Sequence, residues 1–186
     1  MIGFALCGSF CTVRSALEQL KLIVDSGYSV QPIVSETVYK TDTRFQSAAY
    51  TLSVLRDLCG REPIHTVTQA EPLGPEIALE ALVICPCTGN TLAKLAGGIT
   101  DTAVTMAAKA HLRCDRPLLI ALASNDAMSA NLRNIATLLM RKNVFFVPMR
   151  QDDPVNKPHS LVADFTLLPQ ALQNAFAGKQ MRKIFI

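Results

Sequence analysis

The chain has 186 residues, of which 49% are hydrophobic and 18% are charged, and its formal net charge is +3. This length suits one domain with a large core and is short for two. The low charge and a mean hydropathy of +0.26 indicate a sheet that is buried on both faces. The 18 Lys and Arg residues are dispersed along the chain, which argues against a nucleic-acid-binding surface.

Neither a membrane span nor a secretion signal is expected. The longest apolar stretches, such as 81–87, are far shorter than the roughly 20 residues that cross a bilayer. The first residues, MIGFAL, have no basic segment before the apolar run, so we interpret them as a strand. The six cysteines lack the paired spacing of a zinc site. We therefore expect no metal site. Four of the six cysteines lie in or beside apolar runs, which indicates buried reduced thiols in a cytosolic protein.

Short β-rich runs alternate with segments of helical period, a pattern typical of βαβ units that close a parallel sheet. About six strands are predicted, at 2–6, 28–34, 64–67, 81–85, 117–123 and 144–147. The expected fold is a doubly wound α/β sheet, Rossmann-like or flavodoxin-like, with helices on both faces and one domain over residues 1–186. Right-handed connections favour the strand order 3-2-1-4-5-6, which reverses direction between strands one and four.

Three stripes of apolar residues at helical spacing predict helices between these strands. They lie at 13–24, 45–55 and 128–139. Gly27 and Gly60 follow the first two stripes, at positions where the end of a helix favours a left-handed residue. The sequence thus predicts the first two helix ends as well as the helices.

The segment 148–168 has three prolines and little periodicity. It is predicted to form a long surface loop before a last helix near 169–177. Loops of that length are usually functional or interfacial, and proline lowers the entropy that a loop loses on docking. We expect contact with a partner protein, and the alternative is a loop that covers the chain's own cofactor site.

Ligands of doubly wound sheets bind where the strand order reverses. The loops that meet there are rich in Ser, Thr, Asn and Gly, and they are GSFCT (8–12), SETVYK (35–40), PCTGNT (86–91) and ASNDAM (123–128). The first loop opens onto a helix, whose free N–H groups attract a phosphate. We predict a phosphate site near Gly8, Ser9 and Thr12. The alternative is that Ser9 or Thr12 merely caps the helix.

Several common catalytic and nucleotide-binding motifs are missing. The first loop matches neither G-x-G-x-x-G nor G-x-x-x-x-G-K-[ST], so a mononucleotide such as FMN fits it better than a dinucleotide or a nucleoside triphosphate. There is no G-x-S-x-G nucleophile elbow, and His65, His111 and His159 are far apart along the chain. Hydrolase chemistry is therefore not expected.

The segment PCTGNTLAKLAGGITD (86–101) resembles the P-x-[ST]-x-N-T-[IL]-A-K-[LI]-A-x-G-I-x-D signature of the FMN-dependent cysteine decarboxylase superfamily, which includes the UbiX-like flavin prenyltransferases. The resemblance covers essentially the whole chain through AEPLGPE (70–76), MAAKAHLR (106–113), SNDAMSANLRNI (124–135) and FVPMRQDDPVNKPHSLVADF (146–165). It implies FMN as the cofactor. The implied residues are Ser9, Ser35 and Thr37 near the phosphate and Thr88, Asn90 and Thr91 near the flavin ring.

The resemblance also suggests which residues act. Asn90 matches the asparagine of the decarboxylases and is the candidate catalytic residue; the alternative is a side chain that fixes its loop. Asn125 matches the asparagine of their P-A-M-N segment and is a further candidate for cofactor binding. The histidine that precedes the fourth strand in the decarboxylases is missing, because that stretch offers Glu71, Pro72 and Glu76. This difference argues against decarboxylation.

Within the superfamily, the chain looks most like a branch that works with a dehydrogenase-like partner in the mother cell of a sporulating bacterium. This implies one component of an oxidoreductase, inactive alone, whose dihydropyridine dicarboxylate substrate gives hydride to flavin or to NADP or NAD on the partner. Four basic residues could hold the dicarboxylate, namely Arg113, Arg133, Arg150 and Lys157. The alternatives are a scaffold without flavin and a decarboxylase or prenyltransferase. A homo-oligomer built from trimers is expected.

Overall fold

A seven-stranded, mostly parallel sheet forms the centre of the structure, a computed structural model that describes all 186 residues. The strands are β1 (Ile2–Leu6), β2 (Val30–Val34), β3 (Ala81–Cys87), β4 (Leu118–Ser124), β5 (Val144–Phe146), β6 (Met149–Arg150) and β7 (Leu161–Ala163). The helices are α1 (Val13–Asp25), α2 (Glu36–Lys40), α3 (Ala48–Cys59), α4 (Val67–Ala70), α5 (Gly89–Gly97), α6 (Ala103–Leu112), α7 (Leu132–Leu139) and α8 (Leu168–Phe176). None of them is both long and apolar enough to cross a membrane.

The parallel part of the sheet has the predicted strand order. Strands β2, β1, β3, β4 and β5 lie side by side, and Ile64 adds one parallel bridge to Ile33 beyond β2. The doubly wound α/β class and the order 3-2-1-4-5-6 are therefore confirmed, with the third strand reduced to that bridge. The sheet order reverses between β1 and β3.

The prediction of a strand at 64–67 is confirmed only at Ile64 and is wrong for residues 65–67. The side chain of Thr66 accepts a hydrogen bond from the backbone of Gln69, and the Gln69 side chain accepts one from the Thr66 backbone. This capping box begins helix α4 at Val67. Local capping therefore outweighs the β propensity of the short apolar run.

Helices cover both faces of the sheet, as the low charge predicts. Helices α1, α3 and α8 pack on one face, around β1 side chains such as Phe4. Helices α4 to α7 pack on the other face, around β3 and β4 side chains such as Ile84. Every residue of β3 and β4 is buried. The four predicted helices correspond to α1, α3, α7 and α8, and Gly27 and Gly60 have the expected positive φ of 88° and 62°.

Residues 148–168 are more ordered than the sequence predicts. Strands β6 and β7 form an antiparallel hairpin, and β7 also pairs with Ala123 and Ser124 at the end of β4. Met149, Leu161 and Ala163 are buried. Strands of two and three residues are too short to give a recognisable alternation, so the surface-loop prediction holds only for the hairpin's tip.

The segment before β3 is held against the C-terminal end of α6. Gly74 has a φ of 108°, and the Arg116 guanidinium donates to the carbonyls of Gly74 and Leu79 at 3.5 and 3.3 Å. His111 is buried beneath this segment, with Nε2 2.9 Å from the carbonyl oxygen of Pro117. Burial lowers the pKa of His111, so this histidine is a structural residue.

The last residues cover an outer edge of the sheet. The side-chain amide of Gln180 accepts from the Phe146 N–H at 2.8 Å and donates to the Phe146 carbonyl at 2.7 Å. Beyond it, Met149 N donates to Ile184 O at 2.8 Å and Ile186 N donates to Met149 O at 3.2 Å. The tail 180–186 thus satisfies backbone groups of β5 and β6.

Candidate functional site

A cleft of about 690 Å³ opens at the carboxyl ends of β1, β3 and β4, where the order of the sheet reverses. It is lined by Gly8, Ser9, Cys11 and Thr12 after β1, by Thr88, Gly89 and Asn90 after β3, by Ala123, Ser124, Asn125 and Asp126 at the end of β4, and by Asp152, Lys157, Ser160 and Val162 of the β6–β7 hairpin. Its volume lies in the range of small-molecule sites. Depressions of about 590 and 710 Å³ near residues 178–184 lie away from the carboxyl ends of β1, β3 and β4.

Most of the predicted cofactor residues meet in this cleft, namely Gly8, Ser9, Thr12, Thr88, Asn90 and Asn125. Ser35, Thr37 and Thr91 do not line it. The Ser35 hydroxyl caps α2 by accepting from Val38 N at 3.3 Å, and the Thr37 methyl group lies beside Gly8. Thr91 is buried, and its hydroxyl donates to Cys7 Sγ at 3.3 Å. These three side chains serve the fold of the surrounding loops.

The first loop does not use Ser9 or Thr12 as a helix cap. Neither side chain makes a capping hydrogen bond at the start of the short 3-10 turn or of α1. Instead, the Thr12 hydroxyl donates to Ser9 O at 2.8 Å and to Ser9 Oγ at 3.1 Å. Both residues stay in the lining of the cleft, so the capping alternative is wrong.

The N-terminal end of α5 provides a second polar wall. The Thr88 hydroxyl caps the helix by accepting from Thr91 N, and Thr88 O accepts from Leu92 N at 2.9 Å. The first N–H groups of a helix have no partner inside it, so those of Gly89 and Asn90 are left for a ligand. The Asn90 side chain is exposed in the cleft.

A partly buried hydrogen-bond network beside this wall was not predicted from the sequence. Asp126 accepts from the Ser124 hydroxyl and, at 3.0 Å for each oxygen, from Asn131 Nδ2. Asn134 Nδ2 in turn donates to Asn131 Oδ1 at 2.8 Å. Hydrogen bonds, first from Ser124 and then from Asn131, lower the pKa of Asp126. The network joins the end of β4 to the start of α7.

Gly89 is where α5 touches this network. A Cβ at position 89 would overlap Ser124 Oγ and would lie 2.7 Å from both Asn131 Nδ2 and Asp126 Oδ1. Glycine is therefore required for the start of α5 to approach the end of β4 so closely. A carboxylate two residues after a largely apolar strand, at the predicted switch point, is the sequence signal that could have identified Asp126.

We expect Asp126→Asn to destabilise the chain by about 1 kcal/mol at neutral pH, because it replaces a charged acceptor with an amide donor that faces Asn131. The folded pKa of Asp126 is lowered. Its contribution is therefore present above the unfolded pKa of about 3.9 and is lost as the pH falls through the folded value. Urea unfolding of both chains at pH 7 and pH 3 tests this, and a difference that stays constant with pH would contradict it.

The thiols of the chain are all unpaired. Cys7, Cys85 and Cys87 are buried, and burial raises the pKa of Cys7 to about 11. Cys11 is exposed and lines the cleft, so the prediction of buried thiols holds for only part of the set.

No histidine lines the cleft. The His65 ring lies against the Tyr39 ring with centroids 3.8 Å apart, His111 is buried, and the backbone carbonyl of His159 accepts from Met128 N. The cleft thus offers hydroxyls, amides and helix N–H groups, together with the Cys11 thiol, two carboxylates and the Lys157 ammonium. One hydroxyl, that of Ser124, is hydrogen-bonded to a carboxylate, Asp126. Such a lining can bind and orient a cofactor that supplies the chemistry itself.

The fold, with its cofactor-sized cleft at the carboxyl ends of the strands, is that of a flavoprotein. The chain belongs to the flavoprotein family, whose model matches residues 1–166. It is 43% identical over 185 residues to the B subunit of dipicolinate synthase from Bacillus subtilis (strain 168), covering 100% of this chain and 92% of that protein.

Solved structures show the same likeness. The crystal structure of the dipicolinate synthase B subunit from Bacillus halodurans C has a TM-score of 0.91 and 38% identity, covering 100% of this chain and 95% of that one. The FMN-dependent cysteine decarboxylase SpaF has a TM-score of 0.68 and 23% identity, covering 94% and 95%. The SpaF match shows a shared fold.

Proposed function

We propose that this chain is the B subunit of a dipicolinate synthase, which oxidises dihydrodipicolinate to dipicolinate together with a dehydrogenase-like A subunit. The observation that carries the proposal is the 43% identity with the B subunit of the Bacillus subtilis enzyme along the whole chain. The proposed setting is the cytoplasm of the mother cell of a sporulating bacterium. The dehydrogenase-like partner would bring NADP or NAD.

The proposed cofactor of this chain is FMN, and the cleft has a suitable donor set. The Ser9 hydroxyl, which accepts from Thr12, and the N–H groups at the start of α5 offer hydrogen bonds to an anion or a polar ring edge. The amides of Asn90 and Asn125 line the same space. When bound, FMN supplies hydride-accepting chemistry.

In this proposal the chain's own residues bind and orient. Ser9 and Thr12 hold the phosphate end, Thr88 and Asn90 contact the ring, and Asn125 closes the side formed by β4. Asn90 is the proposed catalytic residue, because its exposed amide stands in the cleft without being needed to cap the helix. Ser35, Thr37 and Thr91 support the loops that carry these groups.

We expect the purified chain to bind FMN, and Ser9→Ala to weaken that binding by about 1 kcal/mol or more because one hydrogen bond to the phosphate is lost. Quenching of flavin fluorescence measures the affinity. Ser53→Ala, an exposed change on α3, is the matched control and should bind like wild type. No FMN binding by the wild-type chain would contradict the proposed cofactor and favour the scaffold alternative.

We expect dipicolinate to form only when this chain is combined with its dehydrogenase-like partner. Part of the interface is proposed to lie in residues 148–168 and the switch-point loops, so exchanging Asp152 and Asp153 for lysine should weaken association. Co-expression, affinity capture and an absorbance assay for dipicolinate test both points. Turnover by the isolated chain, or full assembly of the double variant, would contradict them. Decarboxylation by the flavin-loaded chain would instead favour the third alternative.

The proposed assembly is a homo-oligomer built from trimers. Large apolar side chains that remain exposed on the single chain, such as Phe45, Ile99 and Met140, are consistent with further burial between protomers. Light scattering over a micromolar concentration range tests the proposal, and a strict monomer would contradict it.

A further inference from the structure

Among the residues that line the cleft, Lys157 is the one with a cationic side chain. Its ammonium lies 3.0 Å from Asp152 Oδ2, and its side chain is 53% exposed. The other three basic candidates lie elsewhere. Arg113 is at the C-terminal end of α6, Arg133 is on α7, and Arg150 points to Asp164 at 3.8 Å.

The backbone around Lys157 is held in place by hydrogen bonds inside the hairpin loop. Lys157 N donates to Asp153 O at 2.8 Å, and Ser160 N donates to Lys157 O at 3.0 Å. Ser160 is buried and leads directly into β7, which is paired with β4. Lys157 is thus carried by a turn that is fixed to the sheet.

Lys157 shares the lining of the cleft with Cys11 of the loop after β1. The pKa of Lys157 is raised, first by Asp152 and to a smaller degree by Asp153 and by Cys11 of that loop. Asp126, the other carboxylate of the lining, already accepts hydrogen bonds from Ser124 and Asn131. An anionic ligand that enters the cleft therefore meets two carboxylates and a single compensating cation.

We infer that Lys157 is the oxyanion-binding residue of this cleft, taking either a carboxylate of the substrate or the phosphate of the cofactor. This inference rests on the proposed function, since both oxyanions come from it. The competing interpretation is an exposed ion pair with Asp152 of no consequence for ligands, as most surface pairs are. A contact between Lys157 and a ligand inside the cleft would be screened less by water and salt than an exposed pair is.

The test compares Lys157→Met with Lys157→Arg, which keeps the charge. Lys142→Met is the control, because Lys142 also lies 3.0 Å from an aspartate, Asp115, but outside the cleft. Calorimetry on the full chain measures four ligands, which are pyridine-2,6-dicarboxylate, pyridine-2-carboxylate, FMN and riboflavin. We expect Lys157→Met to weaken one oxyanion ligand roughly tenfold, while Lys157→Arg and Lys142→Met bind like wild type.

The four ligands separate the two sources of the oxyanion. Weaker binding of the dicarboxylate alone identifies a substrate carboxylate, and weaker binding of FMN but not riboflavin identifies the phosphate. Unchanged binding by Lys157→Met, an equal loss in Lys142→Met, or no rescue by Lys157→Arg would overturn the inference. If the dicarboxylate binds in a Lys157-dependent way and no flavin binds, FMN is refuted as the cofactor and the role of Lys157 stands. If neither the dicarboxylate nor a flavin binds, both the cofactor and the role of Lys157 are refuted.

Discussion

Replacing Gly74 with alanine should lower the free energy of unfolding by about 3 kcal/mol or more. The φ of Gly74 is 108°, which L side chains rarely adopt, and the left-handed region alone costs about 1–2 kcal/mol. A Cβ there would also overlap the backbone carbonyl of Ala110. The overlap can be removed only if the 71–79 segment moves, because this segment is held between α6 and β3. Overpacking of this kind costs about 1–3 kcal/mol.

Gly60→Ala separates the cost of backbone strain from the cost of steric overlap. Gly60 also has a positive φ, 62°, but a Cβ there meets nothing within 4 Å. Its replacement should therefore cost about 1 kcal/mol, from backbone strain alone. Urea unfolding followed by circular dichroism measures both variants. Equal stabilities for the two would show that the contact between Gly74 and α6 is not as tight as described.

Gly89→Ala should abolish measurable FMN binding and lower the free energy of unfolding by about 1–3 kcal/mol. The added methyl group would displace the Ser124 hydroxyl and the Asn131 amide, both buried. The start of α5 must then move away from the end of β4. Because Gly89 and Asn90 both line the cleft, the proposed binding wall moves with it.

Gly97→Ala is the matched control in the same helix. A Cβ at position 97 would meet only the side chain of Ile99, at 3.7 Å, which is an ordinary contact. Alanine also favours the helix over glycine, so this variant should bind FMN normally and unfold at the same or a higher urea concentration. Wild-type FMN affinity in Gly89→Ala would contradict the role of the α5 start in the proposed site.

The elements that could be predicted from the sequence are those in which local pattern and burial agree. Helix α1 has one apolar stripe and a glycine after its end, and both were enough to define it. Helix α6 was missed because Ala103, Val104, Ala107 and Ala110 are all buried, so an apolar surface on several sides hides the helical period.

The location of the site could be predicted from the sequence, but the side chains that line it could be predicted only in part. The loops at the switch point follow from strand order, and Gly8, Ser9, Asn90 and Asn125 line the cleft as a result. Whether a hydroxyl points into a cleft or back into its loop depends on tertiary contacts, and Thr91 points to Cys7. The hairpin residues could not be placed, because their contribution depends on the pairing of β7 with β4.

The contacts of Gln180 and the tail have a consequence for how the molecule behaves at high concentration. An open sheet edge is a template on which a second chain can add a strand, and such pairing begins aggregation. Here the Gln180 amide makes the hydrogen bonds that a further strand would make with the Phe146 backbone. Ile184 and Ile186 make the corresponding bonds with the Met149 backbone. We therefore expect the tail to protect this edge of a sheet whose strands β1, β3, β4 and β5 are wholly buried from uncontrolled self-association.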